Sequence, residues 1–184
     1  MLRTIAPRRL TMLTAASLMT VGLVAAQAGA ALPTKTVPPK QWAKKVCPAL
    51  KDFNDDFQAI DTELADATTA AEAQGIIIAG LDETMATVED SAVAIKAAGT
   101  PDSKKGKKAA RTLNTVMADV NEVLLGAQTL VAGLAVADLN QFADESQAIQ
   151  SQTIDEIGTG FARFAEVDAK LFNTILKHPD CAAL

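Results

Sequence analysis

His178 is the only histidine in the chain. One imidazole is a thin basis for a metal or haem site. At the C-terminal end of a helical stretch it reads instead as a surface cation that complements the helix dipole. Carboxylates are plentiful: Asp52, Asp55 and Asp56; Asp82 and Glu83; Glu89 and Asp90; Asp155 and Glu156. A di-iron site in a helix bundle needs inward-facing Glu-x-x-His motifs, and a calcium-binding EF-hand needs its loop pattern. The chain has neither, and its acids mostly fall off the apolar stripes, as a solvated face does. No Gly-x-Ser-x-Gly occurs, and beyond the N-terminal segment the arginines are Arg111 and Arg163, far apart in sequence. The expectation is a non-enzymatic protein with no cofactor or metal.

The strongest local anomaly is "TPDSKKGKKAAR", which places Lys104, Lys105, Lys107, Lys108 and Arg111 within eight positions. It opens a helix whose dipole already favours anions. One reading is an anion-binding site for an acidic glycan, phosphate or lipid head group, which makes an acidic envelope polymer or an unknown protein the expected partner of the molecule; the other is a solubilising loop. The spacing is not that of a phosphate-binding P-loop.

The first thirty residues have a basic opening (Arg3, Arg8, Arg9), an apolar run from about Met12 to Ala26, and Ala28-Gly29-Ala30. This is the pattern of a secretory signal peptide cleaved after Ala30. The run is too short and too rich in Ala and Thr for a membrane span of about 20 residues. No later segment is apolar enough to cross a membrane, so the protein is expected outside the cell or at its envelope. Met1–Ala30 carries three of the 17 basic residues and no acid, which leaves 14 basic against 22 acidic groups, a net charge near −8. Nucleic acid is not a fitting partner for such a surface. In an oxidising compartment the only two cysteines, Cys47 and Cys181, are expected to form one bridge.

These groups must be positioned by helices. Residues 31–39, "ALPTKTVPP", read as a proline-rich arm, and residues 40–184 as one helical domain. Apolar residues then recur at alternating steps of three and four. The first stripe is Trp42, Val46, Leu50, Phe53, Phe57, Ile60 and Leu64, with Pro48 expected to divide a short turn from the main helix. The second is Ile78, Leu81, Met85, Val88, Ala92 and Ile95, opened by the capping-box spacing of Thr69 and Glu72 and closed at Gly99 and Pro101. The third is Ala109, Leu113, Val116, Val120, Val123, Ala127, Leu130 and Leu134, with Asp102 or Ser103 as N-cap. The fourth runs from near Asp138 to Lys177 through Ile154, Ile157, Phe161, Phe164, Leu171 and Ile175. Asp168 falls on that stripe, either as a buried polar contact or because Val167 takes the core place, the second being the expectation.

No segment alternates with period two. The expected fold is all-α, an antiparallel up-down four-helix bundle closed by one disulfide. In that topology the first helix starts where the fourth ends, so Cys47 and Cys181 meet across the open seam. The apolar faces are wider than a bundle seam requires, which leaves room for a homodimer face or a hydrophobic ligand in the core near Ile78, Leu81, Leu124 and Leu130.

"VCPAL" after Trp42, "AAGTPDSKKGKKAARTL" and the terminal "HPDCAAL" resemble a group of small secreted actinobacterial helical proteins. In that group a Trp/Cys segment, a Gly-Thr-Pro turn and a C-terminal Pro-x-Cys recur. The resemblance implies export and a helical bundle. It implies no reaction. The stretch after the Gly-Thr-Pro turn departs from the group, being basic here where acids are common.

Overall fold

A computed structural model describes residues 35–182. The expected signal peptide and the first residues of the arm lie outside the described residues. The elements are β1 (Thr36–Val37), α1 (Pro39–Leu64), α2 (Ala70–Ala98), β2 (Thr100–Pro101), α3 (Gly106–Ala132), α4 (Leu139–Val167), α5 (Ala169–Leu176) and a closing 3-10 turn (Pro179–Cys181). Among the described residues the fold is all-α apart from one strand pair, with five α-helices rather than the expected four.

The end of the expected arm is docked. β1 pairs in parallel with β2, Thr36 opposite Thr100 and Val37 opposite Pro101. The Thr100 N–H donates to the Lys35 carbonyl at 3.2 Å, and the Asp102 N–H to that of Val37 at 2.7 Å. Two-residue strands carry no periodicity, so only the contacts reveal them. Trp42, fully buried, locks this clasp by donating its indole N–H to the Gly99 carbonyl at 2.9 Å. Gly99 has φ +84°, and a Cβ there would lie 2.8 Å from the Lys35 carbonyl oxygen. Gly99→Ala should therefore lower stability by about 2 kcal/mol, from the left-handed backbone cost and the crowding together. Urea unfolding of the two proteins checks this, and equal midpoints would refute it.

α1 runs unbroken through Pro48, which corrects the expected division. Pro39 and the residues after it supply a helical start in which a missing N–H costs nothing. Inside the helix Pro48 forfeits one backbone bond. The turn holds because Val46, Cys47 and Leu50, on both sides of it, are buried. α2 opens as the spacing predicts. Glu72 N–H donates to Thr69 Oγ1 at 3.2 Å, while Thr68 N–H and Oγ1 donate to Glu72 Oε2 at 2.9 and 3.0 Å. The Thr68 backbone bond, then its hydroxyl, hold the Glu72 carboxyl below its ordinary range. A depressed folded value means the stabilisation is complete above about pH 4.3 and is lost as pH falls through the folded value. Melting curves of Glu72→Gln and the parent should therefore differ at pH 7 and converge in acid. A constant gap would refute this.

The core takes a slightly different register from the expected stripes. On α3, Leu124 and Val131 are buried, whereas Val123 is half-buried and Leu130 is 54% exposed. On α2, Ile77, Thr84 and Ser91 join the core face. The two polar ones are satisfied locally or across the interface: Thr84 donates to the Gly80 carbonyl and Ser91 to the Ala49 carbonyl.

The fourth helix breaks at Asp168, where the backbone leaves the helical conformation (φ −149°, ψ 83°). Asp168 Oδ1 accepts from the Leu171 N–H at 3.1 Å and so caps α5. Its Oδ2 accepts from Ser103 Oγ at 2.6 Å. That contact also explains why Ser103 does not cap α3. The N-cap is Lys105, without a side-chain bond, and Asp102 is held by β1.

Candidate functional site

Helices adjacent in sequence pack on one another: α1 on α2, α2 on α3, and α3 on α4. α1 meets α5 and the closing turn instead of packing along α4. Between α1 and α4 lies a groove of about 680 Å³, floored by Leu113 of α3 and ended by Phe172, Ile175 and Leu176 of α5. On α1 it spans Leu50 to Asp61, about 17 Å of helix. Gln150 Nε2 crosses it once, donating to Asp61 Oδ1 at 2.9 Å.

The fourth stripe, expected in the core, lines this opening. Ile154 is 50% exposed, and Ile157 and Phe161 are half-buried. Phe53, Phe57, Phe161, Phe164 and Phe172 all border the groove, five of the six phenylalanines of the chain. Phe164 and Phe172 meet edge-on with centroids 5.9 Å apart, and Phe53 and Phe57 lie 6.4 Å apart. Phe53 and Phe164 are buried beneath the groove, whereas Phe57, Phe161 and Phe172 are half-buried and present apolar surface to the opening, and such a surface marks a binding site. Beside Phe57 and Gln150 a second space of about 40 Å³ reaches in toward Leu81 and Ala127, with room for about one water.

The wall is polar at one end and apolar at the other. Gln58, Asp61 and Gln150 lie toward the C-terminal end of α1, while Leu50, Phe164, Phe172 and Leu176 lie toward α5. Asp61 is the one ionisable side chain among the groove-lining residues.

Cys47 and Cys181 are bridged, with Cα atoms 5.1 Å apart and both side chains fully buried. The bond ties the closing turn, and through it α5, to α1. Lys104, Lys105, Lys107, Lys108 and Arg111 are all exposed. Among the described residues none of the five is in an ion pair. They do not join the groove. Leu113 faces it, and Arg111, two residues earlier, is turned about 200° around α3.

Other candidates do not converge. Arg163 pairs at the surface with Asp119 at 2.6 Å, whereas Asp168 serves as a helix cap. His178 Nδ1 lies 3.6 Å from Asp180, and among the described residues no cluster of three potential metal ligands forms. The expected ligand-lining set also disperses: Leu81 and Leu124 are packed in the core, Ile78 is half-buried and Leu130 points outward. The groove was legible only indirectly, through the small residues Gly158, Ala162 and Ala165 that run beside the fourth stripe and leave it uncovered.

Compared with protein-family models, curated proteins and solved structures, the chain matches none.

Proposed function

We propose that the protein is a secreted, non-catalytic binding module that holds one elongated apolar molecule in the α1–α4–α5 groove. On this reading α1 to α4 form an antiparallel up-down bundle, opened along one seam to make the site. The observation that carries it is the solvent-open groove of about 680 Å³ bordered by five of six phenylalanines. That volume lies within the range of small-molecule sites. A lone ionisable side chain in the wall, already accepting from Gln150, favours holding a molecule over transforming it by acid–base chemistry. Action outside the cytoplasm is supported by the leader-like N-terminus and the buried disulfide. Among the described residues no helix is long and apolar enough to cross a membrane.

Titration with decan-1-ol tests the reading. One saturable site with a negative heat-capacity change is expected, because apolar surface is buried. Absence of saturable binding would remove the proposal.

A second reading rests on the lysine cluster, whose five cations are exposed without an acidic partner among the described residues. An acidic envelope polymer would fit it. Replacing Lys104, Lys105, Lys107 and Lys108 with serine should then weaken retention on such polymers at low salt and flatten the salt dependence. Equal retention of variant and parent would remove this second surface. Neither result bears on the groove.

A further inference from the structure

The polarity of the groove is graded, and the gradient orients an occupant. Its α5 end is closed by Phe164, Phe172 and Leu176, and the uncharged amide of Asn54 is the polar lining group nearest to it. Its other end carries Gln58, Asp61 and Gln150, with a carboxylate as the one charge among the lining residues. The space beyond Gln150 has room for about one water, whereas the groove toward α5 has room for a chain. A tail therefore runs toward α5, and a head rests beside Asp61.

We infer that the groove takes a single-chain amphiphile whose head is cationic and donates hydrogen bonds, bound with that head at Asp61. This rests on the groove being a ligand site and adds the class and direction of the ligand. A carboxylate head would bring like charge against Asp61 without a lysine or arginine in the wall to offset it. An ammonium head finds the Asp61 carboxylate as acceptor, together with the amide oxygens of Gln58 and Gln150. The gain is modest, because Asp61 is solvent-exposed and its field is screened. The tail supplies most of the affinity, about fourfold for each methylene buried.

Three probes with the same tail separate the contributions: decylamine, decan-1-ol and decanoate, titrated at neutral pH and low salt into the disulfide-intact protein. The expected order is decylamine, then decan-1-ol, then decanoate, with up to about fivefold between neighbours. Asp61→Asn should erase most of the spread between the three heads. Asp61→Lys should invert the order. Melting curves confirm that both variants are folded, as expected for an exposed side chain. Because an acidic protein attracts amines anywhere, the amine must bind with the same single-site stoichiometry as the alcohol. If decan-1-ol binds but the three heads are equivalent, or Asp61→Lys leaves the order unchanged, the inference falls and the groove reading survives. If no probe binds, the groove reading itself falls.

Discussion

Cys181→Ser should cost the protein about 2–5 kcal/mol of stability. The bridge closes a loop across a sequence separation of 134 residues, and the chain-entropy model puts so long a loop near 5 kcal/mol. A domain's total stability is about 5–15 kcal/mol, so the loss is a large fraction of the whole. The melting temperature should fall by about 4–20 °C. The same substitution should loosen the α5 end of the groove. α5 has only eight residues, too few to hold a helix without packing, and the closing turn after it is anchored to α1 through Cys181. Phe172, Ile175 and Leu176 would then leave the wall. Binding of decan-1-ol should weaken together with stability. Both cysteines are fully buried, so a thiol reductant should act on the native protein slowly and on the urea-unfolded protein quickly. An unchanged melting temperature in Cys181→Ser would show that packing alone holds the C-terminal segment.

The disulfide was legible because two independent inferences meet in it: a single cysteine pair in a chain whose N-terminal sequence reads as a leader, and a helical order that brings Cys47 and Cys181 together. The helices were legible because their stripes are long, and the α2 cap because Thr69 and Glu72 have a specific spacing. What stayed hidden has local physical causes. Pro48 looked like a break because its own cost is visible in sequence, while the burial of Val46, Cys47 and Leu50 that outweighs it is not. The β1–β2 clasp is two residues long on each side. Asp168 stood out as a polar residue on an apolar stripe, yet its role depends on Ser103, 65 residues away. The groove follows from the same break. A stripe of Ile154, Ile157 and Phe161 predicts burial, but periodicity cannot say whether a neighbouring helix arrives to cover it.

Gly158→Leu tests the groove most directly, and it should abolish binding without harming the fold. Gly158 lies within α4 and lines the groove. A Cβ built on it meets nothing within 4 Å, so a larger side chain enters open space instead of the core. Replacing glycine with leucine inside a helix also favours the helical backbone by about 0.5–1 kcal/mol. Stability should hold or rise while a branched four-carbon side chain occupies the path of the tail. With each displaced methylene worth about fourfold, loss of three or more contacts lowers affinity at least about fiftyfold. Gly126→Leu supplies the control. Gly126 is also unobstructed, but it lies on α3 and does not border this groove, so it should share the helix stabilisation and bind normally. Gly160 is unsuitable, because its added Cβ would come within 3.2 Å of Val116 and press α4 away from α3. Parent-like binding by Gly158→Leu would place the ligand elsewhere. Equal loss in Gly158→Leu and Gly126→Leu would trace the effect to helix rigidity and not to occupancy of the groove.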